Sequence, residues 1–407
     1  MPRIIVSSVS MKFYSHLNSA KQLLADYTGD QPFAGYLRAY FQRNKKHGSK
    51  DRKGIGDMCY ACLRLGKALQ DQGVEERITI GLFLCASSKN PALEALQPQW
   101  NQFLEDNHFP AIETRISFMR NLYTGFRESE IFSFTGELSG GIDKEALTLS
   151  HLQQPDLFIR IRPGYKEKVL AALRDRQAVF EWIEPYTLRL PHSFPANSIG
   201  VIDKEIVIQD YSSQIAGGLM QSLNPKTTAG PLQVLDCCAA SGGKSIMACD
   251  LLKGIQLTVT DIRQSILENL RKRFAAAGIK QYNSFVLDLS AASASALNNS
   301  SRYDLVIADV PCSGSGTWSR SPERLSFFSA GEIAKYAALQ KKIVSNAITY
   351  LRPGGIILYI TCSLFKKENE DIVEYIQQKE KAILLKQELI KGYHTKADSM
   401  FAALLSV

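Results

Sequence analysis

At 407 residues, 45% hydrophobic and 22% charged, the chain has the composition of a soluble globular protein, and its length favours two or three domains at roughly 100 to 200 residues each. No apolar run approaches the roughly 18 to 20 residues that a bilayer span needs, and the apolar patch in the first 13 residues is broken by Ser7, Ser8 and Ser10 without an export-signal pattern. A cytoplasmic protein with no membrane partner is expected, and the formal net charge of +8 is consistent with a polyanionic one.

Residues 1–152 read as an all-helical domain. Apolar side chains recur at helical spacing in Met58, Cys62, Leu65 and Leu69, and again in Phe118, Leu122 and Phe126. Asn90-Pro91, Gln97-Pro98 and Gly140-Gly141 punctuate the helices as turns. Between Arg38 and Lys67, nine basic residues stand against Asp51 and Asp57, so nearly all of the chain's positive excess is local, with a net charge of +7. Such a run is either a solvated face or a phosphate-contacting patch, which makes this domain a candidate RNA-binding one. Eight cysteines are too sparse for a disulfide framework, so free thiols are expected. Cys59 and Cys62 form a CxxC with no second ligand pair nearby; they are predicted to lie on a buried helix face, and no metal is expected.

Residues 153–195 change texture. A strand is predicted over 157–162, a helix over 165–176 and extended chain over 180–190, which together make a small α+β, RRM-like subdomain. From 196 to 407 strand and helix alternate, the pattern of a parallel sheet covered on both faces. Strands are predicted at 233–238, 256–260, 284–287, 303–309, 356–361 and 401–405, with helices at 244–252, 264–277, 331–350 and 367–379. Such folds bind ligands at the carboxyl ends of their strands.

The first of these strands runs into Cys238-Ala239-Ala240-Ser241-Gly242-Gly243-Lys244, where small residues allow close backbone approach to a ligand and a helix follows at once. The second ends in Asp261, 18 residues beyond Gly243 and close to the spacing of roughly 20 at which nucleotide-binding folds place a ribose-binding acid. The third ends at Asp288. These three strand ends describe a nucleoside pocket, in which Arg263 is a further candidate. The fourth strand delivers Asp309-Val310-Pro311-Cys312-Ser313-Gly314 and the fifth Thr361-Cys362-Ser363. Two cysteines are thereby predicted in polar loops at the edge that carries the pocket, where a reactive thiol is placed. Arg320, beyond the first cysteine, is a candidate phosphate contact.

These residues resemble the Sun/Nop (RsmB-like) family of RNA cytosine-5 methyltransferases. The family's signatures read approximately LDxCAAPGGKT, DxPCSGxGT and STCSxxxxENE, against LDCCAASGGKS from Leu235, DVPCSGSGT from Asp309 and ITCSLFKKENE from Ile360. A polar element over 205–214, with Gln209, Asp210 and Gln214, and a late one over 398–403 are also similar. Two departures stand out: Ser241 takes the place of the motif's proline, and Ser399-Met400 that of a Gly-Phe pair. The resemblance implies a Rossmann-like methyltransferase domain with a mostly parallel seven-stranded sheet, S-adenosylmethionine as cofactor, and a monomeric enzyme acting on RNA, with ribosomal RNA preferred over transfer RNA. It also implies the roles. Cys362 attacks carbon 6 of cytosine, Cys312 assists loss of the carbon 5 proton and release of the enzyme, and Asp309 binds the base edge. The cofactor is expected on residues 238–244 together with Asp261, Arg263, Asp288 and Asp309. A DNA cytosine methylase needs no second cysteine, and a weakly catalytic ribosome-assembly factor needs neither.

Overall fold

The computed structural model describes residues 8–183, 185–223, 230–291 and 302–407, and these cluster into two compact units.

The first unit comprises Met1–Gly136, Asp143–Gln154 and Trp318–Ser329 and is helical. Its prolines act as helix starts: Pro91 and Pro98 open helices Pro91–Leu96 and Pro98–Asp106, and the Asn90 side chain accepts from the amides of Ala92 and Leu93. Cys59 and Cys62 are buried free thiols on helix Ser49–Leu63, the apolar-face placement that the spacing predicts. The stripe of Phe118, Leu122 and Phe126 does not hold. Helix Ile112–Leu122 buries Ile112, Arg115, Ile116 and Met119, whereas Leu122 is 51% exposed, because Tyr123 turns to extended backbone and carries Phe126 off the helix. The basic run also divides. Arg38, Arg43, Lys45, Lys46, Lys50, Arg52 and Lys53 are exposed. Arg64 is buried and donates to the carbonyl oxygens of His151 and Gln153 and to the Gln154 side chain, so it ties loops together and cannot meet a phosphate. Among the described residues no helix is long and apolar enough to cross a membrane.

The second unit comprises Glu137–Ile142, Pro155–Thr317 and Ala330–Val407. Its strands are β1 (Leu157–Ile161), β2 (Glu181–Ile183), β3 (Thr187–Leu190), β4 (Ile206–Ile208), β5 (Leu232–Asp236), β6 (Ile255–Asp261), β7 (Asn283–Val286), β8 (Tyr303–Asp309), β9 (Leu351–Thr361), β10 (Ile383–Ile390) and β11 (Met400–Ser406). The first four form a small antiparallel sheet in the order β2-β3-β1-β4. Its fourth strand falls beyond residue 195, in a stretch with no strand prediction. The Gln209 side chain receives Arg160 of β1, and Asp210 caps helix Tyr211–Gly218, so the polar element at 205–214 joins the small sheet to the large one.

The large sheet has seven strands in the order β10-β11-β9-β8-β5-β6-β7. β7, β6, β5, β8 and β9 pair in parallel, and β11 is antiparallel to both β9 and β10. This is the expected Rossmann-like, mostly parallel sheet. β10 has no counterpart among the predicted strands: it is an edge strand whose sequence mixes charge with leucine, and Ile383 and Leu385 remain exposed. One core lies on each face, with Val306, Ile357, Tyr359 and Phe401 on one side and Val234, Val259, Phe274 and Leu358 on the other. The order reverses direction at β5 and β8, so the crevice over their carboxyl ends is where a ligand is expected.

Candidate active site

The loop after β5 is shaped by conformations that few residues adopt. Ala240 and Gly242 lie at φ of 45° and 84°, in the left-handed region where only small or glycine side chains sit cheaply. A Cβ on Gly242 would stand 2.7 Å from the Phe274 ring, so glycine is required there for packing as well. Asp261, at the end of β6, turns its carboxyl group onto this loop: one oxygen accepts from the Ala240 amide at 3.1 Å, the other from the Arg263 amide at 3.0 Å and its Nε at 3.2 Å. Asp288 is held below the usual carboxylate range by the hydroxyl and amide of Ser290.

A cavity of about 510 Å³ opens over these strand ends. Of the predicted cofactor residues, Cys238, Ala240, Asp261, Arg263, Asp288 and Asp309 line it, together with Cys312 and Cys362. Leu287, Leu289, Val310, Leu339 and Ile343 give it apolar walls. A carboxyl edge beside an apolar slot fits the ribose and adenine of S-adenosylmethionine, and the volume is in the range of about 300 to 1,000 Å³ of small-molecule sites. Ala239, Ser241, Gly242, Gly243 and Lys244 stand outside the lining. Ala239 is buried with its amide on the Thr260 carbonyl, Ser241 is exposed, and Lys244 is buried. The Lys244 Nζ donates to Ser213 at 2.7 Å and to Asp309 at 3.1 Å, so it fixes Asp309. Arg320 lies in the segment that clusters with the helical unit.

β8 and β9 are parallel neighbours, and their ends bring the two predicted cysteines together: Cys312 Sγ and Cys362 Sγ are 3.2 Å apart, and both are free thiols. The hydrogen bond with Cys362 and then burial push the Cys312 thiol well above its ordinary pKa. Either sulfur can be the donor in this contact.

What fixes these loops was only partly legible in the motifs. Glu368 is fully buried and receives the Ser313 amide at 2.9 Å, Gln340 Nε2 at 3.0 Å and the Ser363 hydroxyl at 2.8 Å, so one carboxyl group spans the PCSG and TCS loops. Asn369 accepts from the Thr361 hydroxyl at 2.6 Å and donates to the Ser363 carbonyl and the Ser139 hydroxyl, each at 3.0 Å. The ENE motif is thus a bracket under the reacting loops. Gly316 donates to the Cys362 carbonyl and accepts from the Ser399 amide, and a Cβ there would lie 1.9 Å from the Ser399 carbonyl oxygen. Ser399 meets this loop through its backbone, while its hydroxyl accepts from the Tyr393 amide and the Met400 side chain is buried in the core.

Asp236, at the end of β5, is fully buried, and burial raises its carboxyl to a pKa of about 7, although Ser245 donates to it at 2.5 Å. The folded state therefore holds a proton that the unfolded chain releases near pH 4. Stability falls as pH rises through this window and levels off above about 7. Denaturant melts are expected to lose on the order of 2 kcal/mol between about pH 5 and pH 8, and Asp236→Asn is expected to flatten that dependence.

Residues 220–403 match the model of a family described as 16S rRNA methyltransferase RsmB/F. Ribosomal RNA small subunit methyltransferase B of Xanthomonas campestris pv. campestris is 31% identical over 244 residues, 59% of this chain and 54% of that protein. The protein of the same name from Shewanella oneidensis is 32% identical over 164 residues, 40% of this chain and 36% of that protein. The chain spans about half the length of the first of these relatives. Among solved structures, NSun6 from Pyrococcus horikoshii with SFG superposes at a TM-score of 0.56 and 13% identity, covering 69% of this chain and 97% of that one. A methyltransferase homolog protein from Pyrococcus horikoshii superposes at 0.54 and 17%, covering 75% and 98%. At these identities the structural likeness is one of fold. Residues 220–403, a little under half of the chain, are thus similar to the RsmB/F (Sun/Nop) family of S-adenosylmethionine-dependent methyltransferases.

Proposed function

We propose that this chain is an RNA cytosine-5 methyltransferase acting on ribosomal RNA, with Cys362 as nucleophile. The observation that carries the reading is the meeting of two thiols, 3.2 Å apart, in the cavity that Asp261 and Asp288 edge. The names and family of its relatives supply the ribosomal RNA. S-adenosylmethionine, when bound, supplies the methyl group that carbon 5 accepts. Everything else falls to the protein. Carbon 5 of cytosine is a poor nucleophile, so the Cys362 thiolate adds to carbon 6 and moves an electron pair toward carbon 5. A hydrogen bond from the Cys312 thiol, 3.2 Å away, would stabilise that thiolate before attack. Asp309, steadied by Lys244, binds the base edge where charge develops. After transfer Cys312 gives its own proton to solvent and, as a thiolate, takes the carbon 5 proton; the electron pair of the broken C5–H bond re-forms the ring double bond and expels Cys362 as a thiolate. A stacked base cannot reach these thiols, so the cytosine is unpaired or flipped outward.

The test is to incubate the protein and S-adenosylmethionine with ribosomal RNA tritiated at cytosine carbon 5. Tritium release into water, matched by 5-methylcytidine in the hydrolysate, is expected. Methylation without tritium release places the methyl group elsewhere and overturns the reading.

The exposed basic run of the helical unit is assigned to RNA phosphates. Replacing Lys45, Lys46 and Lys50 with Gln is expected to lower the slope of log affinity against log salt by about 2, at roughly 0.7 per phosphate contact on single-stranded RNA. An unchanged slope makes the run a solvated face.

A further inference from the structure

The loop after β5 reaches its apex at Ser241, between two left-handed residues. It is exposed there and holds a serine where the family signature has a ring-stiffened residue, so its backbone needs another constraint. Helix Gln264–Ala277 provides one. Arg273 Nη1 donates to both the carbonyl and the hydroxyl oxygen of Ser241, each at 2.9 Å. The other edge of the guanidinium is gripped by Asp203, from Nε at 2.9 Å and from Nη2 at 2.7 Å. A fork held at both ends has little freedom left to lose. Asp203 is itself fixed, buried at φ 66° in the turn that leads into β4, with its amide on the Ile206 carbonyl at 2.7 Å.

From this chain of contacts we infer that Arg273, aimed by Asp203, is a positioning residue for the cofactor loop. It supplies by hydrogen bonds the stiffness that a proline at 241 would supply by its ring, and it anchors the loop to the small antiparallel sheet. Arg273 does not line the cavity, so it acts through the loop and touches no ligand. The inference rests on the reading of that cavity as the S-adenosylmethionine site.

The test compares wild type, Arg273→Ala, Asp203→Asn, Ser241→Gly and Asp261→Ala by calorimetry with S-adenosylmethionine, well below each protein's melting temperature. Methyl transfer to ribosomal RNA is measured alongside. Arg273→Ala is expected to weaken cofactor binding about tenfold, the scale of a lost charge-assisted hydrogen bond. KM for the cofactor should rise in step, while kcat at saturation stays within about twofold. Asp203→Asn and Ser241→Gly should shift affinity the same way by about threefold. A purely structural arginine would lower the melting temperature and leave affinity and KM unmoved. Unchanged affinity in Arg273→Ala beside a clear loss in Asp261→Ala overturns the inference alone, whereas unchanged affinity in both overturns the cavity's assignment. If Arg273→Ala fails to fold, Ser241→Gly decides, and unchanged affinity there overturns the inference.

Discussion

The Cys312→Ala protein is expected to accumulate an RNA adduct that survives denaturing electrophoresis, whereas Cys362→Ala is expected to give none, and each to lose turnover by about a thousandfold or more. The two thiols are in contact, yet they act at opposite ends of one path. Without Cys362 no bond to carbon 6 forms, and the protein stalls with RNA bound and unreacted. Without Cys312 the addition and methyl transfer still run, but the carbon 5 proton has no nearby acceptor and expulsion of Cys362 is slow. If the two side chains only filled space, both substitutions would cost a few kcal/mol of stability with no asymmetry between them. An adduct in Cys362→Ala and none in Cys312→Ala reverses the roles.

Replacing Glu368 is expected to cost stability and activity together. Its carboxyl group is fully buried and satisfies a backbone amide of the first reacting loop, a hydroxyl of the second, and Gln340. Glu368→Ala removes one acceptor from three buried donors, of which Gln340 Nε2 keeps the Pro311 carbonyl and the Ser363 hydroxyl keeps Ser313 and Ser315. A donor left unmet costs about 1 to 3 kcal/mol, and the truncation opens a void. A loss of about 3 to 5 kcal/mol in denaturant melts is predicted. Because both loops lose the same anchor, methyl transfer should fall by at least about a hundredfold at temperatures where the variant is still folded. Glu368→Gln keeps the volume and one acceptor, and should fall between the two. Normal activity in Glu368→Ala would show that the thiols are positioned by other contacts.

Much of this site was readable from the chain because its signals are local. Each parallel strand is a short apolar run closed by a carboxylate, a cysteine or a glycine turn, so the strand ends carrying Asp261, Asp288, Asp309, Cys312 and Cys362 were all predicted on one edge of the sheet. What escaped depends on contacts between distant residues. β10 becomes a strand because β11 pairs with it, and its own sequence of exposed leucines and charges carries no such instruction. Ser139 joins the bracket through Asn369 and Glu370, some 230 residues away, where no spacing argument reaches. Arg64 looked like one more cation in a basic run, and only the fold turns it inward onto three loop acceptors. Lys244 was expected to hold cofactor, whereas it meets Asp309 and Ser213; the motif gave its position and the packing gave its partners.

The central claim is the covalent bond between Cys362 and cytosine, and it is tested most directly by trapping. Cys312→Ala is incubated with ribosomal RNA and S-adenosylmethionine, digested with nuclease and protease, and the peptide that retains a nucleotide is sequenced by mass spectrometry. A methylated cytidine nucleotide on Cys362 is the predicted result. A nucleotide carried by any other residue, or a trapped nucleotide that is not a cytidine, would contradict it.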